Sequence, residues 1–415
     1  MDESKVQSSI IIQELATKRN DNEISEPSSQ HNEKAETQLN ISESLDSQNR
    51  IPENTQNVNS DEVRSMRNFY VISSGYLLFT LTDSGLRMIV LFELYNEHYG
   101  ALQTAIMLTS YEFLGVVTNL IGGILGSRLG LRTCFISGLA TQVIGIGMLC
   151  GLPWITRGII FYIYVIIAQG FSGMAKDLVK LGGKSITKLV TKSNDDHQSQ
   201  LFKLVAWLTG AKNSVKGAGF FLGAFLFYFV GFIPSLAILL VMNLVVIPFA
   251  FAYVESDLAV SKSKEKLTFG KIFNKGRDVN ILSIARMFLF SSRDLWFEVP
   301  LPFYLRGPIG WQYLPVGAFI ASWVIFYGVV QSSTPLLILK PLKIYPVKHA
   351  YCHKDKVAMN VGFYYMANAM GRLVGLLIGG LLYNYFEFDA CLWASVIALA
   401  FCTGVSFLLG PVPEN

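Results

Sequence analysis

The sequence predicts an all-α membrane protein of about ten transmembrane helices, arranged as two parallel helical repeats behind a disordered N-terminal tail. Three observations carry that prediction: an apolar, charge-poor composition, ten segments long enough to cross a bilayer, and residues that recur at a fixed offset. Of the 415 residues, 51% are hydrophobic and 15% charged, and mean hydropathy is +0.40. An ordinary soluble chain is about 25% charged.

Residues 1–67 belong to a different compositional class. Lys5, Lys18, Arg19, Lys34, Arg50, Arg64 and Arg67 stand against thirteen Asp and Glu, a local charge of −6. The stretch is rich in Ser, Asn, Gln and Glu, so it cannot bury enough apolar surface to offset its ordering entropy; it is expected to be a disordered acidic cytoplasmic tail. Its only apolar patch, Ile10 to Ile12, is too short for a signal-peptide core. The other 348 residues then carry +10, a basic membrane domain behind an acidic tail.

A bilayer crossing needs about 20 apolar helical residues. From Asn68 onward ten segments qualify: 69–94, 101–126, 133–152, 158–180, 204–230, 232–253, 279–305, 314–339, 357–383 and 390–410. Glycines such as Gly115, Gly122, Gly123 and Gly126 recur inside them, where small residues let helix backbones approach. The fifth segment has two readings, since its run after Lys216 could span alone and leave 200–216 on the cytoplasmic surface.

Lys and Arg in the short loops set the orientation. Arg64 and Arg67 precede the first span, Arg128 and Arg132 follow the second, and Lys180, Lys184, Lys188 and Lys192 follow the fourth. Lys262 to Arg277 fill the middle loop, and Lys340, Lys343, Lys348, Lys354 and Lys356 precede the ninth span. The intervening turns are poor in basic residues, with Arg157 alone after the third span. Both termini are therefore expected in the cytoplasm, where Asn40 in its Asn-Ile-Ser sequon meets no glycosylation machinery. The five cysteines show no metal-ligand spacing, and four sit in apolar segments as small hydrophobes.

The first and seventh spans match. Phe79, Asp83, Arg87 and Phe92 recur as Phe290, Asp294, Glu298 and Phe303, each 211 residues on. Gly115 with Val116 and Val117 recurs as Gly328 with Val329 and Val330, at 213. Two parallel repeats joined by a long basic loop are the signature of a major-facilitator transporter. The domains follow: a six-helix repeat over 68–253, a basic cytoplasmic loop over 254–278, and a second repeat over 279–415. A third match is out of step, because Lys216, Gly219 and Gly223 recur as Arg372, Gly375 and Gly379 at only 156. The shortfall of 55 residues equals about two spans and a turn. The second repeat is thus expected to have four helices, lacking a hairpin between Leu339 and Lys356, so that ten helices of twelve are retained.

An ionisable residue at the bilayer centre costs about 2.5–3.5 kcal/mol on insertion scales, so it should face a partner or an aqueous cavity. Asp83 and Arg87 are four apart and can pair on one helix face. Glu112 lies mid-span, Lys212 and Lys216 one turn apart, and Arg286, Arg293, Asp294 and Glu298 share the seventh segment with Arg372 in the ninth. The set is net positive, and Arg holds oxyanions through bidentate hydrogen bonds. Plainer roles stand beside this one. Lys176 to Lys192 form an interfacial stripe, Lys212 and Lys216 snorkel if the fifth span starts late, Arg87 is a mouth residue, and Glu112 is a counter-ion.

Substrate-binding candidates are therefore Arg293, Arg372, Lys216, Lys212, Arg286, Arg87 and Asn368. Lys216, Arg372 and Arg293 are expected to form a three-cation cradle about a central cavity. Asp294, Asp83, Glu112 and Glu298 are the proton-coupling candidates, Asp294 first because it lies mid-span and repeats Asp83. No nucleophile–base pair, metal cluster or phosphate loop is visible, so neither enzyme activity nor a cofactor, metal or nucleic-acid partner is expected.

The segment from Gly122 to Arg132 resembles the major-facilitator loop between spans two and three, with Ser127 where an Asp is usual. A closer resemblance is carried by FTLTDSGLRMIVLF (79–92), YEFLGVVTNLIGG (111–123), SGMAKDLVKLGGKSITKL (172–189), LTGAKNSVKGAGFFLG (208–223), FSSRDLWFEVPLP (290–302) and VGFYYMANAMGRLVG (361–375). These strings resemble the ArsJ-type organoarsenical efflux permeases, from about Arg67 to Pro411. The resemblance implies secondary active export of 1-arseno-3-phosphoglycerate, formed when arsenate replaces phosphate in glycolysis. It also implies arsenate resistance, a plasma-membrane location and a functional link to glyceraldehyde-3-phosphate dehydrogenase. The acidic tail and the missing hairpin depart from the family pattern. An exporter of an ordinary phosphorylated metabolite, or a truncated protein that does not transport, are the alternatives.

Overall fold

A computed structural model of the protein describes residues 53–190, 197–253, 277–334 and 357–409. The chain divides into two units, Met1–Glu62 and Val63–Asn415. Of the first, residues 53–62 are described, as helical backbone; the second holds everything else. The acidic tail through residue 52, nearly all of the basic loop and the site of the missing hairpin lie outside the described residues, as do the side chains of Ser127 and Arg128.

The described residues are helical, with no strand among them: α1 (Glu53–Asn96), α2 (Ala101–Cys150), α3 (Ile159–Val190), α4 (His197–Val230), α5 (Phe232–Tyr253), α6 (Arg277–Asp294), α7 (Pro300–Arg306), α8 (Tyr313–Thr334) and α9 (Val357–Ser406). Helix α1 starts at Glu53, inside the stretch expected to be tail. Among the described residues, six stretches are long and apolar enough to cross a membrane: Arg132–Trp154, Ile159–Leu181, Gly210–Val230, Phe232–Tyr253, Tyr313–Ser333 and Met366–Ser406. Together they make this a multi-pass helical membrane protein.

Two of the helices are hairpins. At about 1.5 Å per residue, the 50 residues of α2 or of α9 would run far beyond a bilayer core of about 30 Å. Helix α2 reverses at Gly130, whose φ of 77° and ψ of 160° leave the helical region at no steric cost to glycine. Residues 111 and 115 meet α3 at 173 and 177, whereas 138 and 145 meet it at 179 and 172. The first arm therefore runs parallel to α3 and the second antiparallel. In α9 the reversal falls on Glu387 (φ 64°, ψ −171°), and Cys391 Sγ returns to the Gly379 carbonyl at 3.5 Å.

The expected seventh span is broken. Helix α6 stops at Asp294, and α7 begins at Pro300 after a turn over 295–299. Pro300 and Pro302 lack the N–H groups a continuous helix would need, and the Leu301 N–H bonds the Trp296 carbonyl, one residue further back than in an α-helix. The fifth span is settled the other way: α4 is unbroken, and Gly210, Asn213 and Gly217 pack on Ser332, Gly328 and Ile325 of α8. Residues 210–216 thus belong to the bundle and not to a surface segment.

The repeat is visible in the packing. In the first half Gly219 and Gly223 of α4 lie against the α1 backbone at Leu81 and Gly85; in the second, Gly375 and Gly379 of α9 lie against Ser291 and Leu295. Between the halves Gly380 abuts Ala105, and Gly317 abuts Ala224. Moving Ala105 forward by 212 residues and Gly380 back by 156 turns the first contact into the second, as a pseudo-twofold axis requires.

One core of buried residues draws on both repeats, from Leu86 to Leu94, Ala101 to Leu108, Phe220 to Leu239, Phe297 to Leu305 and Val316 to Val324. It fills the end of the bundle whose turns carry no lysine, those at 95–100, 307–312 and 384–389. A smaller core of Ile72, Tyr76, Phe79, Phe135, Leu139, Ala175, Val179, Val246 and Ala250 belongs to the first repeat alone.

Candidate functional site

Between these cores the intramembrane charges converge. Glu112, on the first arm of α2, is the hub: it accepts Arg87 Nη2 of α1 at 2.9 Å, Lys176 Nζ of α3 at 3.3 Å, and Arg372 Nη2 of α9. Its side chain is 2% exposed, so three cations from three helices surround one nearly dry carboxylate. Asp294 is a second hub, accepting Arg293 Nε at 2.6 Å and Arg372 Nε at 3.4 Å. Arg87 closes the ring through Nη1 to Glu298 Oε2 at 2.8 Å.

Glu298 lies in the break between α6 and α7, and Val299 after it has non-helical backbone angles. Many transporter folds place substrate and coupling groups at interrupted helices, because irregular backbone inside a membrane is tolerated only where it is buried in protein or lines a cavity. Arg293 Nη2 also stands 3.9 Å from Glu298.

The expected pairing of Asp83 with Arg87 along one helix face does not form. Arg87 turns to Glu112 and Glu298, and Asp83 accepts the Tyr111 hydroxyl at 2.6 Å. Two carboxylates within bonding range offer the guanidinium more than one on its own helix. Tyr111 also presents its ring to Arg87 at 4.2 Å and to Lys176 at 4.0 Å, cation–π contacts that strengthen when water is excluded.

Lys216 sits over the Phe220 ring at 5.2 Å and within electrostatic range of Glu298, Arg293 and Arg372. Arg286, Lys212 and Asn368 each lie on the face of Arg293, Lys216 or Arg372, one or two turns toward the lysine-rich end. Arg286 covers the Phe290 ring at 4.8 Å, Lys212 is half-buried, and the Asn368 Oδ1 is buried without a hydrogen-bond partner among the described residues.

Two residues were missed by the sequence reading. Lys176, expected in an interfacial stripe, is inside the cluster; the signal was its place within an apolar run, five residues before Leu181. Tyr111 gave no signal beyond standing next to Glu112. Asp177, beside Lys176, bonds Lys180 at 2.8 Å, and Lys180 also reaches Asn119 at 3.2 Å. Five cations (Arg87, Lys176, Lys216, Arg293, Arg372) thus face four carboxylates (Asp83, Glu112, Asp294, Glu298), an excess of one positive charge.

The cluster is sealed from the lysine-free turns by rings of both repeats. Phe92 packs on Tyr313 at 4.9 Å and on Phe227 at 5.8 Å, and Phe297 on Trp323 at 4.6 Å.

No protein-family model and no curated protein matches the chain. Solved structures do match. A POT family transporter in complex with a thioalcohol-conjugated peptide aligns with a TM-score of 0.63 at 12% identity, covering 82% of this chain and 96% of its own. A mutant of the nucleoside transporter NupG aligns at 0.58 and 13%, covering 83% and 98%. The human organic anion transporter MFSD10 (TETRAN) aligns at 0.57 and 13%, covering 83% and 99%. At such identities the likeness establishes the fold, which is that of the major-facilitator transporters.

Proposed function

We propose that this chain is a secondary active exporter of a small organic oxyanion, 1-arseno-3-phosphoglycerate, and that it confers arsenate resistance. The observation that carries the proposal is Glu112, a carboxylate buried among Arg87, Lys176 and Arg372. An anionic substrate is the natural competitor of that carboxylate. Its oxygens take the forked N–H groups of Arg372 and Arg87 in place of Glu112; the cations are already dry, so the desolvation cost falls on the anion and the displaced carboxylate alone. The six strings that resemble organoarsenical permeases contain Arg87, Glu112, Lys176, Lys216, Arg293 and Arg372, and they supply the substrate class.

Export follows from exchange of partners. The pairs Arg87–Glu298 and Glu112–Arg372 join one repeat to the other. A substrate that displaces Glu112 loosens that link, and rocking of the two repeats then carries the site to the opposite face. A proton is the proposed coupling ion. Of the four candidate carboxylates, Asp83 is the one whose neutralisation breaks no salt bridge, which favours it over Asp294 as the exchanging group. The protein is placed in the plasma membrane with both termini in the cytoplasm, downstream of glyceraldehyde-3-phosphate dehydrogenase, which makes the ester.

Expression in an arsenate-sensitive cell that contains this dehydrogenase tests the reading. Retained arsenic should fall relative to an Arg372→Ala variant of equal abundance. Equal retention in the two lines would rule out the arsenical substrate. Competition by 3-phosphoglycerate in everted vesicles then decides whether an ordinary phosphate ester is carried instead.

A further inference from the structure

We propose that the cavity at the lysine-free end is a second binding site, holding one anionic group of a small hydroxylated organic anion. The cavity is about 550 Å³, within the range of about 300–1,000 Å³ typical of small-molecule sites. Both repeats line it: Tyr95 and Asn96 from α1, Arg306 from α7, Tyr313 from α8, and Tyr383 and Asn384 from α9. Arg306 is the one charged side chain in that lining.

Arg306 is held rigidly. Its Nη1 donates to the Trp311 carbonyl, and its guanidinium lies 3.8 Å from the Tyr313 ring centroid and 5.3 Å from that of Tyr95. Nη2 has no protein partner among the described residues and remains available to a ligand oxygen. Stacking and one backbone bond fix the plane of the fork, which is the arrangement that selects a planar or tetrahedral oxyanion over a spherical one. Phenol hydroxyls and carboxamides around it donate and accept, so they suit hydroxyls on the body of the ligand. One cation matches one anionic group, whereas in the central cluster Arg87, Lys176 and Arg372 converge on one position, that of the Glu112 carboxylate. The outer site is therefore the weaker of the two.

Tyr95 and Arg306 are 211 residues apart, the offset of the repeat, so this site lies on the pseudo-twofold axis above the cluster. Eight helical residues, about 12 Å, separate Tyr95 from Arg87. The apolar seal of Phe92 and Phe227 lies between them. An anion that has crossed the seal meets Arg306 before it meets solution. That role as a stopping point rests on the export reading; the binding site itself does not.

Calorimetric titration of the full chain in lipid nanodiscs, with 3-phosphoglycerate as probe, tests it. Two events are expected. Arg306→Gln should remove the weaker and spare the stronger, and Arg372→Ala should do the reverse. Asn384→Leu fills the cavity without touching the bond to Trp311, and should weaken the same event about fivefold or more. If the Arg306-dependent event survives alone in the wild-type chain, the outer site stands and the central reading fails. A wild-type titration with no event that both Arg306→Gln and Asn384→Leu diminish overturns the proposal.

Discussion

Arg87 and Glu298 occupy the same position in the two repeats, 211 residues apart, and bond to each other at 2.8 Å. Near a pseudo-twofold axis a residue meets its own counterpart. Identical side chains there would repel or leave a charge unmet, so the opposite signs make a bond between the halves out of a point of conflict. Glu298→Ala removes that bond yet leaves Arg87 with Glu112. The cost of a half-satisfied buried guanidinium is about 1–3 kcal/mol. A thermal midpoint of the purified chain that did not fall would show the pair to be incidental.

Glu112→Gln takes the shared counter-ion from three cations. Removing one partner of a buried ion pair costs about 3–5 kcal/mol, so the variant should melt earlier. If an anion substitutes for Glu112, the variant should also regain more stability from added 3-phosphoglycerate than the wild type does. Equal ligand-induced shifts in the two proteins would mean that substrate and Glu112 do not share a site.

Arg372→Lys retains the charge, but an ammonium cannot reproduce the fork that serves Glu112 and Asp294 together. Losing one charge-assisted bond of about 1.5–3 kcal/mol lowers anion affinity roughly tenfold or more. Arg372→Ala should lower it further. Wild-type affinity in Arg372→Ala would reduce this residue to a counter-charge.

Gly375→Ala would bring a Cβ within 2.7 Å of the Ser291 carbonyl oxygen, a backbone atom that cannot swing away. Separating α9 from α6 to admit it costs about 1–3 kcal/mol. The control is Gly147→Ala, where nothing lies within 4 Å, and which should be neutral or stabilising by up to about 1 kcal/mol. Comparison of the two melting curves checks the glycine faces directly; identical shifts would contradict them.

Asp83→Asn preserves a hydrogen bond to Tyr111 and breaks no ion pair, so anion binding should persist. If Asp83 carries the proton, transport in vesicles should stop responding to a pH gradient, while Asp294→Asn should instead destabilise the cluster by leaving Arg293 and Arg372 short of a partner. Gradient-driven transport in Asp83→Asn would return the coupling role to another carboxylate.

Much of this was legible in the chain. The long apolar runs located the six described stretches that can cross a membrane, and the offset of 211 that relates Asp83 to Asp294 also located Arg87 opposite Glu298. The break before Pro300 is in principle readable from two prolines two residues apart. It is masked because the surrounding run is apolar enough to span as one helix. Lys176 is hard to place for a related reason. A lysine near a helix end has two solutions, to snorkel or to find an acid, and the sequence gives no sign of an acid on a neighbouring helix.

What the sequence by itself determined is whatever depends on one segment at a time: most of the helices, the loop between Gly122 and Arg132, the glycine faces and the duplication. Those follow from local backbone preferences and from the bilayer, which act on each stretch independently. Only the tertiary structure decided which charges meet. Asp83 and Arg87, four apart on one helix, were the obvious pair, yet each bonds a different neighbour because packing brings Tyr111, Glu112 and Glu298 closer than the local geometry does. In a medium that penalises every unpaired charge, partners are chosen by distance across helices, and that distance is set by glycines such as Gly85, Gly115, Gly173, Gly219 and Gly375, each within a turn of a cluster charge.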